Sequence, residues 1–256
     1  MKRALYNLTD EPFLMFTNHI GEVLEQEKVK HNLVGGVAVQ AYLLDMLCKK
    51  YGTDIVGLSS KTDIRVQDYV RSTDDIDIAM LLEEKEDIKR IKKINDITVK
   101  FPFEAINPDG QRIVEIKSER YGASRPTFRL YVDGKGSEEE VIALNIGRGQ
   151  PGSLKHFFDA FYNVFIEGSQ KLTVPYQDSY ALKINVPSLE HLLATKIAGA
   201  RAKDLMDYKN LTDLAKQTGT PINLGVLSGI MIPFHEDKFA RYLHTAYPEL
   251  NRENVE

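Results

Sequence analysis

Asp75 and Asp77 stand two apart in the stretch Arg71-Ser72-Thr73-Asp74-Asp75-Ile76-Asp77-Ile78-Ala79-Met80, alternating with Ile76 and Ile78. This is the period of a half-buried strand, with the isoleucines facing a core and both carboxylates on the opposite face. Residues two apart on a strand have Cα atoms separated by roughly 6.5 Å. Side chains leaning together from that spacing can share two Mg²⁺ ions about 3.5–4 Å apart. Hard oxygen ligands suit Mg²⁺, which binds through one or two carboxylates and substrate phosphates. A strand carrying Asp-x-Asp therefore reads as a candidate site for metal-assisted phosphoryl or nucleotidyl transfer. The same Asp-x-Asp on the exposed face of an edge strand would serve only to discourage aggregation. Context decides between the two, and three things are wanted: a phosphate-binding turn, a cation and a cleft.

A candidate for the turn lies upstream. His31-Asn32-Leu33-Val34 reads as a short extended piece, followed by Gly35-Gly36 and a helix from about Val37 to Lys50. Two glycines between a strand and a helix let the backbone approach a ligand, and the helix N-terminus offers free N–H groups to a phosphate. A plain tight turn has the same signature. The cation lies downstream. Leu189, Leu192, Leu193, Lys196 and Ala200 share one helical stripe, so Lys196 interrupts an apolar face. Its ammonium either snorkels to solvent or meets a carboxylate or phosphate in a cleft. If that helix ran on unbroken, Lys203 and Asp207 would lie near the same line, with Asp204 offset and turned toward Arg201. A surface ion-pair set would look alike.

The elements that must position these groups follow from periodicity and turn chemistry. Asp10-Glu11-Pro12 reads as a helix start, with Phe13, Phe16, Ile20, Val23 and Leu24 at helical spacing until about Lys28–Lys30. Residues 51–70 read as an irregular loop or small insertion. A helix is expected from Glu83 to Asp96, and its Lys89, Arg90, Lys92 and Lys93 read as a solvated face or an RNA landing surface. Strands are expected at Phe101–Ile106, Arg112–Lys117, Thr127–Val132 and Val141–Ile146. The turns Asn107-Pro108-Asp109-Gly110 and Asp133-Gly134-Lys135-Gly136 pair them as two antiparallel hairpins. An aromatic helix is expected over Ser153–Glu167, with its Phe and Tyr stripe in the core. A short hairpin follows at Leu172–Val174 and Tyr180–Val186. Helices are then expected at Ser188–Ala202, Lys203–Thr218, Leu224–Ile230 and Pro233–Ala246. The fold class is α+β: a mixed sheet with flanking helices over 1–150, then a mainly helical domain over 151–256.

Composition narrows the function classes. The 256 residues are 43% hydrophobic and 27% charged, as in an ordinary globular protein, and the net charge of −4 gives no general pull toward nucleic acid or membrane. The single cysteine, Cys48, forms no disulfide within the chain and reads as a small core residue. No signal peptide is recognisable and no run approaches the ~20 apolar residues of a membrane span, so a cytoplasmic location is expected. None of the six histidines pairs with another at metal-ligand spacing, and there is no Gly-x-Ser-x-Gly elbow or Walker loop.

Together the double glycine, the stretch Arg71-Ser72-Thr73-Asp74-Asp75-Ile76-Asp77 and Lys196 followed by Arg201-Ala202-Lys203-Asp204-Leu205-Met206-Asp207 resemble the polymerase-beta-like nucleotidyltransferase superfamily. Within it they look like abortive-infection AbiEii-type proteins and their uncharacterised relatives. The matching pieces span roughly residues 33–214. The resemblance implies a nucleotidyltransferase domain followed by a helical domain, with the active site between them. It implies Mg²⁺ or Mn²⁺ on Asp75 and Asp77, and a nucleoside triphosphate near Gly35, Gly36, Arg71, Thr73 and Lys203. Lys196 and Asp207 complete the catalytic set. Lys196 would neutralise triphosphate charge, and Asp207 would orient Lys196 or act as base on the acceptor hydroxyl. The implied acceptor is RNA, including tRNA 3′ ends, and the implied partner a cognate antitoxin. The pattern departs from the family in three places. Residues 51–70 lengthen the gap between Gly36 and Asp75. The segment from Lys196 to Asp207 is shorter than in the best-known toxins. The third metal carboxylate expected on a later strand is replaced by Asn145, with Asp133 or Glu104 as substitutes. A carboxamide oxygen can ligate a metal but carries no charge. Two other activities therefore stand beside the enzyme acting on RNA: a non-catalytic nucleotide-binding regulatory module, and a small-molecule nucleotidyltransferase of the aminoglycoside-modifying kind.

Overall fold

A computed structural model describes residues 5–26, 28, 30–61, 63–73, 75–81, 116–121, 125–134, 137–149 and 168–251. The first helix, α1 (Glu11–Gln26), buries Phe13, Phe16, Ile20, Val23 and Leu24, the face its spacing predicts. Strand β1 (His31–Val34) is buried at all four positions and leads directly into α2 (Gly35–Tyr51). Helix α2 is buried continuously from Gly36 to Cys48, so it is the central helix of the molecule rather than a surface one. It ends at Gly52, a left-handed cap whose N–H donates to the Cys48 carbonyl. Cys48 is a core residue as expected, and burial pushes its thiol pKa up to about 12.

Residues 51–70 are not a loop. They form two short helices, α3 (Ile55–Ser60) and α4 (Val66–Tyr69). Asp54 caps α3 by accepting from the Gly57 N–H at 2.6 Å. Ile55, Leu58, Ile64, Val66 and Val70 are buried, and this sparse apolar spacing among glycines and serines is too short to show helical periodicity in sequence.

Strand β2 (Asp75–Leu81) carries the Asp-x-Asp, and Ile76 and Ile78 are buried in the core. It lies inside a five-stranded sheet with β3 (Ile116–Tyr121), β4 (Arg125–Gly134) and β5 (Ser137–Gly149), in the order β1-β2-β5-β4-β3. β1 pairs with β2 antiparallel and β5 with β2 parallel. β2 is thus an interior strand, and the edge-protection role for its carboxylates is removed. β4 and β5 form the expected antiparallel pair, with a register shift between Leu130 and Tyr131. The helix expected at Glu83–Asp96, the strand at Phe101–Ile106, the first four residues of Arg112–Lys117 and the helix at Ser153–Glu167 lie outside the described residues. Of Arg112–Lys117, the last two residues open β3.

Strands β6 (Ser169–Gln177) and β7 (Tyr180–Pro187) form a separate antiparallel pair, longer than expected. Leu172, Val174, Leu182, Ile184 and Val186 turn inward from it. β7 packs on α1 and β1, and β6 on α2. Helices α5 (Leu189–Gly199) and α6 (Ala202–Thr218) follow, separated by Ala200 in the left-handed region at φ 49. The expected pair at Leu224–Ile230 and Pro233–Ala246 is one run, α7 (Leu224–Ala246), bent at His235 (φ −150, ψ 50), two residues past Pro233. A single buried apolar cluster runs from Leu8 to Tyr242. The α+β class and the mixed sheet stand as expected. No helix among the described residues is long and apolar enough to cross a membrane.

Candidate active site

The Asp-x-Asp and the double glycine meet because β1 pairs with β2. The register sets Val34, the last residue of β1, opposite Asp77. The next residue, Gly35, opens α2 with φ +64, a conformation L side chains rarely adopt. A Cβ built on Gly35 would lie 2.2 Å from Asp77 Oδ2, so the carboxylate occupies the space a side chain would need. Gly36 is as tightly approached: its Cβ would lie 2.8 Å from Thr73 Oγ1 and 3.6 Å from Arg71 Nη2. The glycines are therefore more than a tight turn. They let the helix start close onto three side chains of the Arg71–Asp77 stretch. Gly35→Ala is expected to cost about 1–2 kcal/mol from backbone strain and to push the Asp77 carboxylate aside. Urea denaturation and divalent-cation titration would check both effects, and a neutral result in both would refute the close-approach role.

Arg71 and Thr73 are fixed by backbone ties. Thr73 is buried and forms an isolated bridge with Tyr6, exchanging N–H to carbonyl bonds of 2.8 Å in both directions. The buried Gln40 of α2 donates to the Arg71 carbonyl at 2.9 Å and accepts from the Leu8 N–H at 2.8 Å. Asn210 of α6 donates to the Tyr69 carbonyl at 2.8 Å. The inserted α4 is thus clasped to α6, and this sets where Arg71 begins.

From there the guanidinium reaches α6. Arg71 Nε and Nη2 donate to Asp207 Oδ1 and Oδ2 at 2.7 and 2.9 Å, a two-pronged pair. Lys196 Nζ lies 2.7 Å from Asp207 Oδ2 and 3.6 Å from Asp204 Oδ1. Lys196, Asp204 and Asp207 are only 4%, 1% and 2% exposed, so these are buried charges with counter-charges at hand. Lys196 meets carboxylates in the interior rather than snorkelling. Arg201, its side chain 65% exposed, closes the set by donating from Nε and Nη2 to Asp204 at 2.6 and 3.1 Å.

The helix break explains a difference from the sequence reading. One continuous helix would have put Lys203 on the Lys196 line and turned Asp204 away. The left-handed Ala200 restarts the helix at Arg201, where Asp204 accepts from the Arg201 backbone N–H as a cap. That rotation brings Asp204 and Asp207 together onto Lys196 and leaves Lys203 exposed, outside this set of contacts. The Arg201–Asp204 pair expected from its spacing forms, but its place in the site, like that of Gln40, is not part of the sequence expectation. A Gly-Ala pair before Arg201 was the available signal for Arg201 and Asp204. Gln40 gave no signal beyond a polar residue in an apolar helix.

Burial disfavours the Asp204 carboxylate, but the Arg201 hydrogen bonds and the charges of Lys196 and Arg201 outweigh it, holding its pKa below the ordinary 3.8. A depressed carboxylate pKa contributes stability above the unfolded value that is lost as pH falls through the folded one. The protein is therefore expected to lose stability below about pH 4, and Asp204→Asn to flatten that limb of a denaturation-versus-pH curve. An unchanged limb in that variant would refute the assignment. Arg201 is shifted upward, first by its hydrogen bond to Asp204, against burial, and then by the charges of Asp204, Asp77 and Asp207. Asp77 is thus within electrostatic reach of the α6 cluster.

Asp75 sits two residues before Asp77 on β2, in register with Ala143, and Asn145 of β5 takes the register position beside Asp77. Asn145, the residue expected as a third metal ligand, thus stands next to Asp77 in strand register. The all-oxygen character of this set fits Mg²⁺ or Mn²⁺. Among the described residues no group of three His, Cys, Asp or Glu side chains gathers in metal-binding geometry. A polar cavity of about 390 Å³ bordered by Glu25, Lys28, Lys30, His31 and Lys171 lies at the other end of β1, and Lys171 there is paired with Glu25 at 2.9 Å.

No family model matches the chain, and no curated protein does. Among solved structures it is similar to JHP933 from Helicobacter pylori, at 14% identity and TM-score 0.42, covering 95% of this chain and 80% of that one. A second similar structure is described as a "putative nucleotidyltransferase" from H. pylori, at 15% identity and TM-score 0.39, covering 92% of this chain and 79% of that one. Both similarities are distant.

Proposed function

We propose that this chain is a nucleotidyltransferase of the AbiEii-like kind, moving a nucleoside monophosphate from a nucleoside triphosphate to an acceptor hydroxyl with release of pyrophosphate. The observation that supports the reading is the convergence of three sequence-distant pieces. Gly35 and Gly36 close on Asp77, Thr73 and Arg71, and Arg71 joins Asp207 and Lys196. Asp75 and Asp77 would hold Mg²⁺, which when bound would offset charge developing on the phosphates. The start of α2 would receive the terminal phosphates through its free N–H groups. Lys196 would supply a positive charge in a low-dielectric setting, where it acts strongly on an anion. RNA as acceptor, a toxin role in phage defence and a cognate antitoxin partner rest on the motif resemblance alone.

The test is a labelling reaction. The protein is incubated with Mg²⁺, total RNA and each α-labelled nucleoside triphosphate in turn. Label in a discrete RNA band identifies donor and acceptor class. Label in a small molecule or protein instead would refute the RNA acceptor, and no label anywhere would refute the transfer reading.

Asn145 beside Asp77 favours a second reading, a non-catalytic nucleotide-binding module. That reading expects triphosphate binding without turnover, and a gain of turnover in Asn145→Asp.

A further inference from the structure

Lys196 is one ammonium set between two buried carboxylates, Asp204 and Asp207. With only these three groups, the buried charge would be one negative in excess. The ammonium could not turn to an incoming phosphate without leaving a buried carboxylate uncompensated. Arg71 changes that balance. Its Nε and Nη2 engage both oxygens of Asp207 at 2.7 and 2.9 Å, so Asp207 receives a full counter-charge from the strand side. Lys196 then holds Asp207 by one oxygen at 2.7 Å and stands 3.6 Å from Asp204. Arg201 does for Asp204 what Arg71 does for Asp207.

From this arrangement we infer that Arg71 is a positioning residue: by neutralising Asp207 it frees the Lys196 ammonium for a phosphate group at the start of α2, and it does not itself bind the nucleotide. The inference rests on the nucleotide reading above and revises the role expected of Arg71 from sequence. The guanidinium lies beside the helix start, with Nη2 3.6 Å from the point a Gly36 Cβ would take. Yet its fork is engaged on the carboxylate, and Nη1 donates to the Ser72 carbonyl at 3.3 Å. A guanidinium held this way matches a carboxylate as closely as it would match a phosphate. It is also only 23% exposed, so its charge is spent inside the cluster.

Charge balance and direct contact make opposite forecasts for a double variant. The full chain would be titrated calorimetrically with ATP, GTP, CTP and UTP in turn, in Mg²⁺. Arg71→Met is expected to weaken the bound triphosphate about tenfold or more, the scale of one charge-assisted contact. Arg71→Met combined with Asp207→Asn removes one charge of each sign and is expected to recover to within about threefold of the unaltered protein. Arg71→Lys keeps the charge without the fork and is expected to stay within about threefold as well. Thermal melting of each variant establishes that it is folded, and if Arg71→Met does not fold, the lysine variant and the double decide between the two roles. A double no better than Arg71→Met, or a lysine variant as weak as Arg71→Met, would overturn the positioning role and make Arg71 a nucleotide contact. An unaltered protein that binds none of the four triphosphates would refute the nucleotide reading itself, and this inference with it. That result is distinct from an unaltered protein that binds and a double that does not recover.

Discussion

Asp77→Ala is expected to lower nucleotidyl transfer by about three orders of magnitude or more, the loss of roughly 4 kcal/mol of charge stabilisation, while the protein stays folded. The two halves of the forecast rest on different atoms. Ile76 and Ile78 carry the strand's share of the core, and β2 keeps its ladders to β1 and β5 whatever side chain stands at 77. Only the carboxylate projects to the helix start, where it lies in the space above Gly35. Removing a negative charge from a helix N-terminus costs about 0.3–1 kcal/mol, a shift of a few degrees in Tm for a chain of this size. The check is the labelling reaction run beside a thermal melt of the same preparation. Transfer within tenfold of the unaltered protein would remove Asp77 from the reacting centre. A collapsed melt would mean that the carboxylate's role is structural.

The parts of the site legible in the sequence were those encoded by local period. Alternation gave β2 and the inward isoleucines, and it also gave the β6–β7 pair, because strand faces repeat every two residues wherever one side is buried. The Gly-Gly placement gave the start of α2. What local pattern could not give was the neighbour. That β2 is interior depends on β5 pairing parallel to it across more than sixty residues, and no feature within Asp75–Leu81 encodes that partner. The α5–α6 break is a similar case. Lys196 is recognisable as a cation on an apolar stripe and Asp207 falls near its line, but Asp204 joins them only because Ala200 is left-handed, which is rare for a residue with a Cβ. Residues 51–70 depart from the expected loop for the opposite reason: polar composition masks a few apolar positions that tertiary packing turns into α3 and α4. Their function is visible only in three dimensions, where Asn210 grips Tyr69 and fixes the approach of Arg71.

The buried cluster makes the largest forecast on stability. Lys196→Met keeps the side-chain length and its apolar contacts on α5 but withdraws the ammonium from between Asp204 and Asp207. Each carboxylate retains one arginine, yet the two negative charges then face one another in the interior with no charge between them. Breaking a buried pair by removing one partner costs about 3–5 kcal/mol, and that is the expected loss, read as a lower urea midpoint at unchanged slope. The deficit has a pH signature. Protonating Asp204 relieves the repulsion between the two facing carboxylates, so the gap between variant and unaltered protein is expected to narrow in acid. A surface ion-pair set would behave otherwise, with a loss under about 1 kcal/mol and a gap sensitive to salt. A small, salt-dependent loss would therefore return Lys196 to the solvated face and remove the cation from the proposed site. A large loss that shrinks in acid would establish Lys196 as a buried charge, the setting in which one ammonium acts most strongly on a phosphate.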